Sequence, residues 1–410
     1  MTAAARSPWP LTLTGAVVGL TWAAGLRGWM IQMAGEQSAV HWYPTFLLVL
    51  LPGALVGAAF GLAEHRRRAG LSRSRWLVLA PVLFASALLD PTVFRQFVTE
   101  GIGGGSVGVA LTALAGGYAL SGRGRTWWRR TCGVFATLLV LMTLVMASDQ
   151  QPLGEPRGTW VGLYAASLVT LLCVASAIPQ RVERPALVPA AWQAVAVGAL
   201  AGLAWAASLR AFMVEVVGAE SAVTWAGTFL WVLAPGVVIG GLLAWGEWRR
   251  WSGEVPHRRW LVWSPMLFAA VLLQDPVDLV GGFDGNVGLG ALAVPAICMI
   301  GGYAIAGRGP ATVRALCALV ALSAIPIWAL TAEDVGGTSF GLDDPHGAWA
   351  AVLYWGLLAT FSLAASIPHR RAVPSRGPSV AVRAPVPMAL AGSPPARQDV
   401  PPGNQAREHG

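Results

Sequence analysis

Apolar runs of roughly 20 residues alternate with short polar loops along most of the chain. A helix of this length crosses the hydrocarbon core of a bilayer. The pattern therefore predicts twelve membrane-spanning helices, and the third and ninth of them are short for a crossing. The predicted spans are 11–33, 42–63, 76–90, 105–121, 131–148, 160–179, 191–215, 225–246, 260–274, 287–306, 313–331 and 349–368.

The second half of the chain repeats residues of the first half at a constant spacing. Leu26-Arg27 returns as Leu209-Arg210, and Pro52-Gly53 returns as Pro235-Gly236. The repeated unit is far longer than a solenoid repeat, which indicates a duplicated domain. The predicted organisation is a short N-terminus at 1–10, a first membrane repeat at 11–181, a linker at 182–190, a second membrane repeat at 191–370 and a tail at 371–410.

Arginine is concentrated in every second loop, which predicts the orientation in the membrane. Arg66-Arg67-Arg68 follow the second span and Arg249-Arg250 follow its equivalent, whereas the intervening loops are mostly acidic. Short arginine-rich loops stay cytoplasmic, so both termini are predicted to be cytoplasmic. Because equivalent loops are basic in both repeats, each repeat must contain an even number of spans. The prediction is an all-α polytopic membrane protein with two tandem parallel repeats of about six transmembrane helices each.

The composition indicates which kinds of partner the protein can bind. The chain is 55% hydrophobic and 12% charged, whereas soluble domains carry about 25% charged residues. The net charge of +8 does not indicate nucleic acid, because the basic residues lie between apolar segments. A lipid bilayer is the expected partner, and the cell membrane the expected location. The tail is rich in Pro, Ala, Ser and Arg, which predicts a disordered cytoplasmic extension able to recruit a partner.

Two arginines at equivalent positions are the first candidates for a binding site. Arg27 and Arg210 each lie late in the first span of their repeat. An arginine at membrane depth is costly unless it is paired or reaches the interface. One hypothesis is that the two guanidiniums face an anionic substrate group between the repeats. The structural alternative is that they reach the outer interface or pair with a nearby acidic residue.

Two Asp-Pro pairs supply the matching acidic candidates. Asp90-Pro91 and Asp275-Pro276 each follow a short third span. Asp before Pro is typical of a helix start, where the aspartate caps the first turn. The alternative hypothesis is that Asp90 and Asp275 pair with Arg27 and Arg210 and take part in substrate binding.

The other intramembrane acids receive simpler interpretations. Glu215 has Gln32 as its counterpart, so it is not part of the duplicated pattern, and we interpret it as an interfacial residue rather than a proton relay. Glu64 and Glu247 end the second spans beside arginines and are expected to balance their charge.

Small residues recur on one face of the second span. Gly53, Gly57 and Gly61 are spaced four residues apart, and Gly236 and Gly240 repeat the pattern. Such faces allow close helix approach in membranes.

One motif brings a family resemblance. Arg27-Gly28-Trp29-Met30 is followed by Trp42 and Thr45-Phe46, and Arg210-Ala211-Phe212-Met213 is followed by Trp225 and Thr228-Phe229. The pattern resembles a family of polytopic membrane proteins of high-GC bacteria that has no assigned activity. The resemblance covers the first two spans of each repeat and implies location and fold only.

Motifs of soluble catalysis are absent from the sequence. There is no Walker A loop, His-Glu-x-x-His, Gly-x-Ser-x-Gly or dinucleotide fingerprint, and the six histidines are predicted to lie in loops or the tail. No cofactor, metal or catalytic residue is predicted, and an enzyme is disfavoured.

The leading hypothesis is a passive or secondary transporter of a small molecule or ion, with its site between the repeats. The alternatives are a non-transporting scaffold and a membrane enzyme acting on lipids or isoprenoids.

Overall fold

The computed structural model describes residues 7–35, 38–72, 74–100, 103–181, 190–218, 221–254, 259–273 and 286–371. Within these ranges every regular element is a helix. The α-helices are α1 (Trp9–Ala34), α2 (Leu51–Arg68), α3 (Pro91–Glu100), α4 (Gly104–Leu120), α5 (Thr126–Gln150), α6 (Pro156–Ser176), α7 (Ala191–Val217), α8 (Ala234–Trp251), α9 (Arg259–Trp263), α10 (Asn286–Ile305), α11 (Ala311–Leu322), α12 (Ala324–Gly336) and α13 (Pro345–Ala365). Most of the predicted linker and tail lies outside the described residues.

Eight helices in the described part of the chain are long and apolar enough to cross a membrane, as in a multi-pass membrane protein. They coincide with eight of the twelve predicted spans. The other four predicted spans correspond to shorter apolar segments, namely Trp76–Leu89, Gly104–Leu120, Arg259–Leu273 and Gly290–Ile305.

The third predicted span is a 3₁₀ helix rather than an α-helix. It covers Trp76–Leu89, which is 14 residues. A 3₁₀ helix rises about 2.0 Å per residue, so this segment is roughly 28 Å long, close to the hydrocarbon thickness. The chain then bends by 92° into the short helix α3. The higher rise makes this short apolar run about as long as the hydrocarbon core of a bilayer is thick.

The second span of each half begins as a π-helix. The π segments are Tyr43–Leu50 and Trp225–Leu233, and each continues directly into α2 or α8. Pro52 and Pro235 are the second residues of those α-helices, directly after the π segments, and neither can donate a backbone hydrogen bond to the preceding turn. The wider π turns place Thr45 and Thr228 in the interior, where both are almost fully buried.

Glycines let α1 pack directly on the backbone of α2. A β-carbon on Gly57 would overlap the carbonyl oxygen of Gly15, and one on Gly61 would overlap that of Leu11. In the second half, Gly240 meets the backbone of Gly198 on α7 in the same way. The predicted small-residue faces are therefore confirmed as close helix contacts.

We call residues 11–181 the first half and residues 191–370 the second half. The arginine-rich end of the bundle is the end where α2 and α8 finish, with Arg66, Arg67, Arg68, Arg249 and Arg250. The opposite end is where α1 and α7 finish. The halves meet through α1 against α7 and α13, and through α6 against α7.

Candidate functional site

Arg27 donates hydrogen bonds to the loop that precedes the second span. Its Nε donates to Thr45 Oγ1 at 3.3 Å, and its two terminal nitrogens donate to Ser38 Oγ and to the Ala39 carbonyl, each at 2.8 Å. The arginine is only 6% exposed, so its guanidinium is enclosed by the protein. The motif that carries the arginine therefore also carries its acceptors.

Arg210 makes the same contacts in the second half. It donates to Thr228 Oγ1 at 3.2 Å, and to Ser221 Oγ and the Ala222 carbonyl, each at 2.8 Å. The two arginines thus make the same three hydrogen bonds, and we call each set the arginine clamp of its half. Both guanidiniums are already occupied by hydrogen bonds, although a role in substrate binding stays a prediction for Arg27 and Arg210.

Asp90 caps α3. Its Oδ1 accepts from the backbone N–H groups of Thr92 at 2.8 Å and Val93 at 3.2 Å. The alternative, an ion pair with Arg27, is not formed among the described residues, because the guanidinium is held by the loop and the carboxylate by the helix start. Asp275 lies outside the described residues, so its predicted pairing with Arg210 stays a prediction.

A cavity of about 610 Å³ lies between the two halves. Its wall is formed by α1, α2 and α6 from the first half and by α7, α8 and α13 from the second. Phe84 of the 3₁₀ helix Trp76–Leu89 and Phe268 of a second 3₁₀ helix, Ser264–Leu273, also line it, as do Ile178 and Ile367 after α6 and α13. Equivalent positions of the sequence repeat line it on both sides. Such pairs are Gly15 and Gly198, Gly19 and Gly202, Trp22 and Trp205, Gly57 and Gly240, Phe84 and Phe268, and Leu168 and Leu357.

The cavity wall is almost entirely apolar. Its hydroxyls are Thr14, Thr21, Ser208 and Thr360, and each donates to a carbonyl one turn earlier in its own helix. The wall therefore offers an apolar solute a large surface and few unpaired polar groups.

Two carboxylates line the cavity at the arginine-rich end. Glu64 accepts from Arg67 and Arg68 at 2.6–2.7 Å, and Glu247 accepts from Arg250 and from the indole of Trp251. The expected charge balance is confirmed. Arg68 also lies over the ring of Trp251, 5.7 Å from its centroid, so the halves touch at this end as well.

Beyond the cavity, toward the opposite end, α1 and α7 close on each other. A β-carbon on Gly25 would lie 2.7 Å from Ser208 Oγ, and one on Gly28 would lie 3.7 Å from that of Ala211. The indole of Trp349 crosses from the second half and donates to the Ala24 carbonyl at 3.1 Å. The cavity therefore extends to the arginine-rich end and is blocked toward the opposite end.

A chain of polar side chains lies at the closed end. We call Gln32, Arg157, Glu215 and His346 the polar cluster. Arg157 donates to Gln32 Oε1 at 2.9 Å, Gln32 Nε2 donates to Glu215 Oε1 at 2.6 Å, and His346 Nε2 lies 3.0 Å from Glu215 Oε2. Gln32 is 2% exposed. The bond between Gln32 and Glu215 joins the two halves.

Sequence reasoning missed this cluster. Glu215 was interpreted as an interfacial residue without a named partner, whereas both of its carboxylate oxygens lie within hydrogen-bond distance of side chains, Gln32 and His346; its depth in the membrane stays a prediction. The prediction that every histidine lies in a loop or the tail was wrong for His65 in α2, for His346, the second residue of α13, and for His369, which ends the 3₁₀ helix Ile367–His369. The sequence did contain a feature that pointed to this cluster. Glu215 and Gln32 occupy equivalent positions of the repeat, and so do His346 and Arg157. Each pair differs in chemistry, but all four residues are polar.

No family model, curated protein or solved structure matches this chain.

Proposed function

We propose that the protein is a permease-like transporter that binds an amphipathic molecule in the cavity between its halves. The observation that carries the proposal is the cavity itself, whose wall is built from equivalent residues of both halves. Duplicated halves with a site at their interface are a common transporter architecture. The cavity also falls within the size range of sites for single small molecules.

The wall chemistry selects the class of substrate. An uncharged apolar solute crosses a bilayer without a protein, whereas an amphiphile is held back by its polar head. The apolar wall suits the body of such a molecule. Glu64, Glu247 and their arginine partners at the arginine-rich end suit a polar or charged head.

The proposal includes the arrangement in the membrane. We infer two parallel six-helix repeats related by an axis along the membrane normal, with the arginine-rich end in the cytoplasm. The matched clamps of Arg27 and Arg210 support the repeat. The placement of Glu64 and Glu247 at the same end of the cavity supports the parallel relation.

Binding of three matched probes tests the proposal. Diphenylhexatriene, its cationic trimethylammonium derivative and its anionic propionate derivative share one apolar body and differ in the head. With the protein in lipid nanodiscs, we expect at least one charged probe to bind saturably above empty nanodiscs. Trp in place of Ala175 and Ala364, which line the cavity at equivalent positions, should weaken that binding by at least about tenfold by filling the site.

The control variant is Leu138→Trp, because Leu138 is 58% exposed on the outer face of α5 and should leave binding unchanged. The single variants Ala175→Trp and Ala364→Trp cover the case in which the double variant does not fold. Equal binding by the folded cavity variants and the wild type would refute the site. Saturable binding without transfer of the charged probe across proteoliposomes would favour the scaffold instead.

A further inference from the structure

We propose that a small pocket at the arginine-rich end binds a phosphate group, supplied by a phospholipid headgroup or by a soluble phosphate. The pocket has a volume of about 30 Å³, and its described lining residues all belong to the first half. We call it the cationic pocket. Its wall includes Arg66, Arg67, Leu71, Ser74, Ile178 and Arg181. This site does not rest on the proposed function.

The chain turn after α2 brings the arginines of the cationic pocket together. Arg66 and Arg67 lie in the last turn of α2. Gly70 follows with a φ of 67° and donates its N–H to the Arg67 carbonyl, and the N–H of Leu71 donates to the Arg66 carbonyl. This turn ends the helix and folds the chain back beside it. Arg181, directly after the short 3₁₀ helix that follows α6, completes the pocket.

Each of the three arginines keeps N–H groups for a ligand. Arg66 donates through Nε and one terminal nitrogen to the Ser72 carbonyl, at 3.2 and 2.7 Å. Arg67 uses the same two nitrogens for Glu64, each at 2.7 Å. The other terminal nitrogen of both side chains, and the whole guanidinium of Arg181, make no hydrogen bond to the described residues. Free guanidinium edges of this kind bind phosphate oxygens in pairs.

The positive charge of the cationic pocket is not balanced by its own wall. Three of the described residues that line it are arginines, and none of them is acidic. Glu64, the partner of Arg67, is shared with Arg68, so one carboxylate serves two arginines. The Ser74 hydroxyl, which has no hydrogen bond to the described residues, is a further donor in the wall. An external anion with several acceptor oxygens would satisfy these groups.

The second half contains the same turn with its charge balanced. Gly253 has a φ of 84°, and the N–H of Glu254 donates to the Arg249 carbonyl, as Leu71 donates to that of Arg66. The Glu254 side chain forms an ion pair with Arg249. Leu71 therefore occupies the position at which the second half carries a neutralising carboxylate. An external anion takes that role in the first half.

The surroundings of the cationic pocket favour a phospholipid as the source of the phosphate. Leu71 is 47% exposed beside the arginines, and Trp76, two residues after Ser74, is 81% exposed. Exposed indoles and basic pockets between helices are typical of the membrane surface. The arginines can hold the phosphate while the exposed leucine contacts the apolar part of the lipid.

The repeat supplies a matched pair of variants. Leu71→Glu gives the first half the carboxylate of the second, which should pair with Arg66 and repel phosphate. Leu71→Gln has a similar size without the charge and should bind phosphate as the wild type does. Arg181→Gln removes an exposed guanidinium that has no partner among the described residues, so it should weaken binding without lowering stability. Its control is Arg125→Gln, because Arg125 is also exposed.

Native mass spectrometry of the protein in detergent tests the site. The probes are phosphatidic acid and a diacylglycerol with the same acyl chains, which lacks the phosphate. We expect one phosphatidic acid to bind the wild type at least about tenfold more tightly than the diacylglycerol. Leu71→Glu and Arg181→Gln should each weaken phosphatidic acid binding by about tenfold, whereas Leu71→Gln and Arg125→Gln should match the wild type.

Inorganic phosphate separates the two sources. A soluble ligand is indicated if phosphate displaces the lipid at a comparable concentration, and a phospholipid is indicated if displacement needs more than about a hundredfold excess. Unfolding temperatures in detergent without lipid show whether each variant folds, and Arg181→Gln decides the question if Leu71→Glu does not fold. Equal binding of phosphatidic acid by the wild type and folded Arg181→Gln, or no preference for phosphatidic acid over the diacylglycerol, would overturn the site.

Discussion

Arg27→Ala should destabilise the protein by about 3 kcal/mol and open the loop before the second span. The substitution removes three hydrogen bonds from a charged donor and leaves Thr45, which is 1% exposed, without its partner. Arg210→Ala should have an effect of similar size, because its contacts match atom for atom. Thermal unfolding in detergent measures the loss, and hydrogen exchange at Ser38–Val40 reports the loop.

Two comparisons separate this clamp from a general effect of charge. Arg27→Lys keeps the charge but cannot reach three separated acceptors from one nitrogen, so it should give an intermediate loss. Arg125→Ala removes an exposed arginine and should be close to neutral. If Arg27→Ala were as stable as Arg125→Ala, the loop would not depend on the clamp.

Trp349→Ala should cost about 3–5 kcal/mol. The indole is fully buried, packs against Gly28, and donates across the halves to the Ala24 carbonyl. It also stacks on His346, with the ring centroids 5.6 Å apart. Alanine would leave a void at the point where the halves close, so the loss should be seen both in unfolding temperature and in exchange of α1 amides.

The matched control is Trp263→Ala, because Trp263 is 62% exposed. Trp349→Phe keeps most of the ring but removes the N–H donor, and it should fall between the two. A loss for Trp349→Ala no larger than that for Trp263→Ala would show that the closed end does not hold the halves together.

Periodicity and charge in the sequence predicted the helical class, eight of the spans and the glycine contacts between α1 and α2. These features depend on local residue type and on spacing within a helix. The short third span was harder to place, because the length argument assumed the rise of an α-helix. Trp76–Leu89 is a 3₁₀ helix, whose higher rise lengthens the segment.

The sequence also contained the partners of Arg27, although they were not recognised. A buried arginine suggested an acidic partner, and Asp90 was the nearest candidate in the repeat. The acceptors were instead hydroxyls and a carbonyl of the same duplicated motif. Ser38 and Thr45, which recur as Ser221 and Thr228, carry no charge that would mark them as partners of an arginine.

The polar cluster could not be found by looking for identical residues. An interface between equivalent segments brings equivalent positions together, and these can differ in chemistry. Gln32 and Glu215 are such a pair, and their hydrogen bond forms between the halves. The difference that set Glu215 apart from the repeated pattern gives this pair a donor and an acceptor.

Photolabelling tests the central claim, that an amphipathic molecule binds between the halves, most directly. A diazirine amphiphile with the head charge of the best-binding probe would be activated in native membranes, and the labelled residues would be identified by mass spectrometry. We predict saturable labelling near Trp22 and Leu357 on the cavity wall, and labelling that rises without saturation near Leu138 and Met142 on the exposed face of α5. Labelling that fails to saturate at the cavity wall as well would contradict a binding site between the halves.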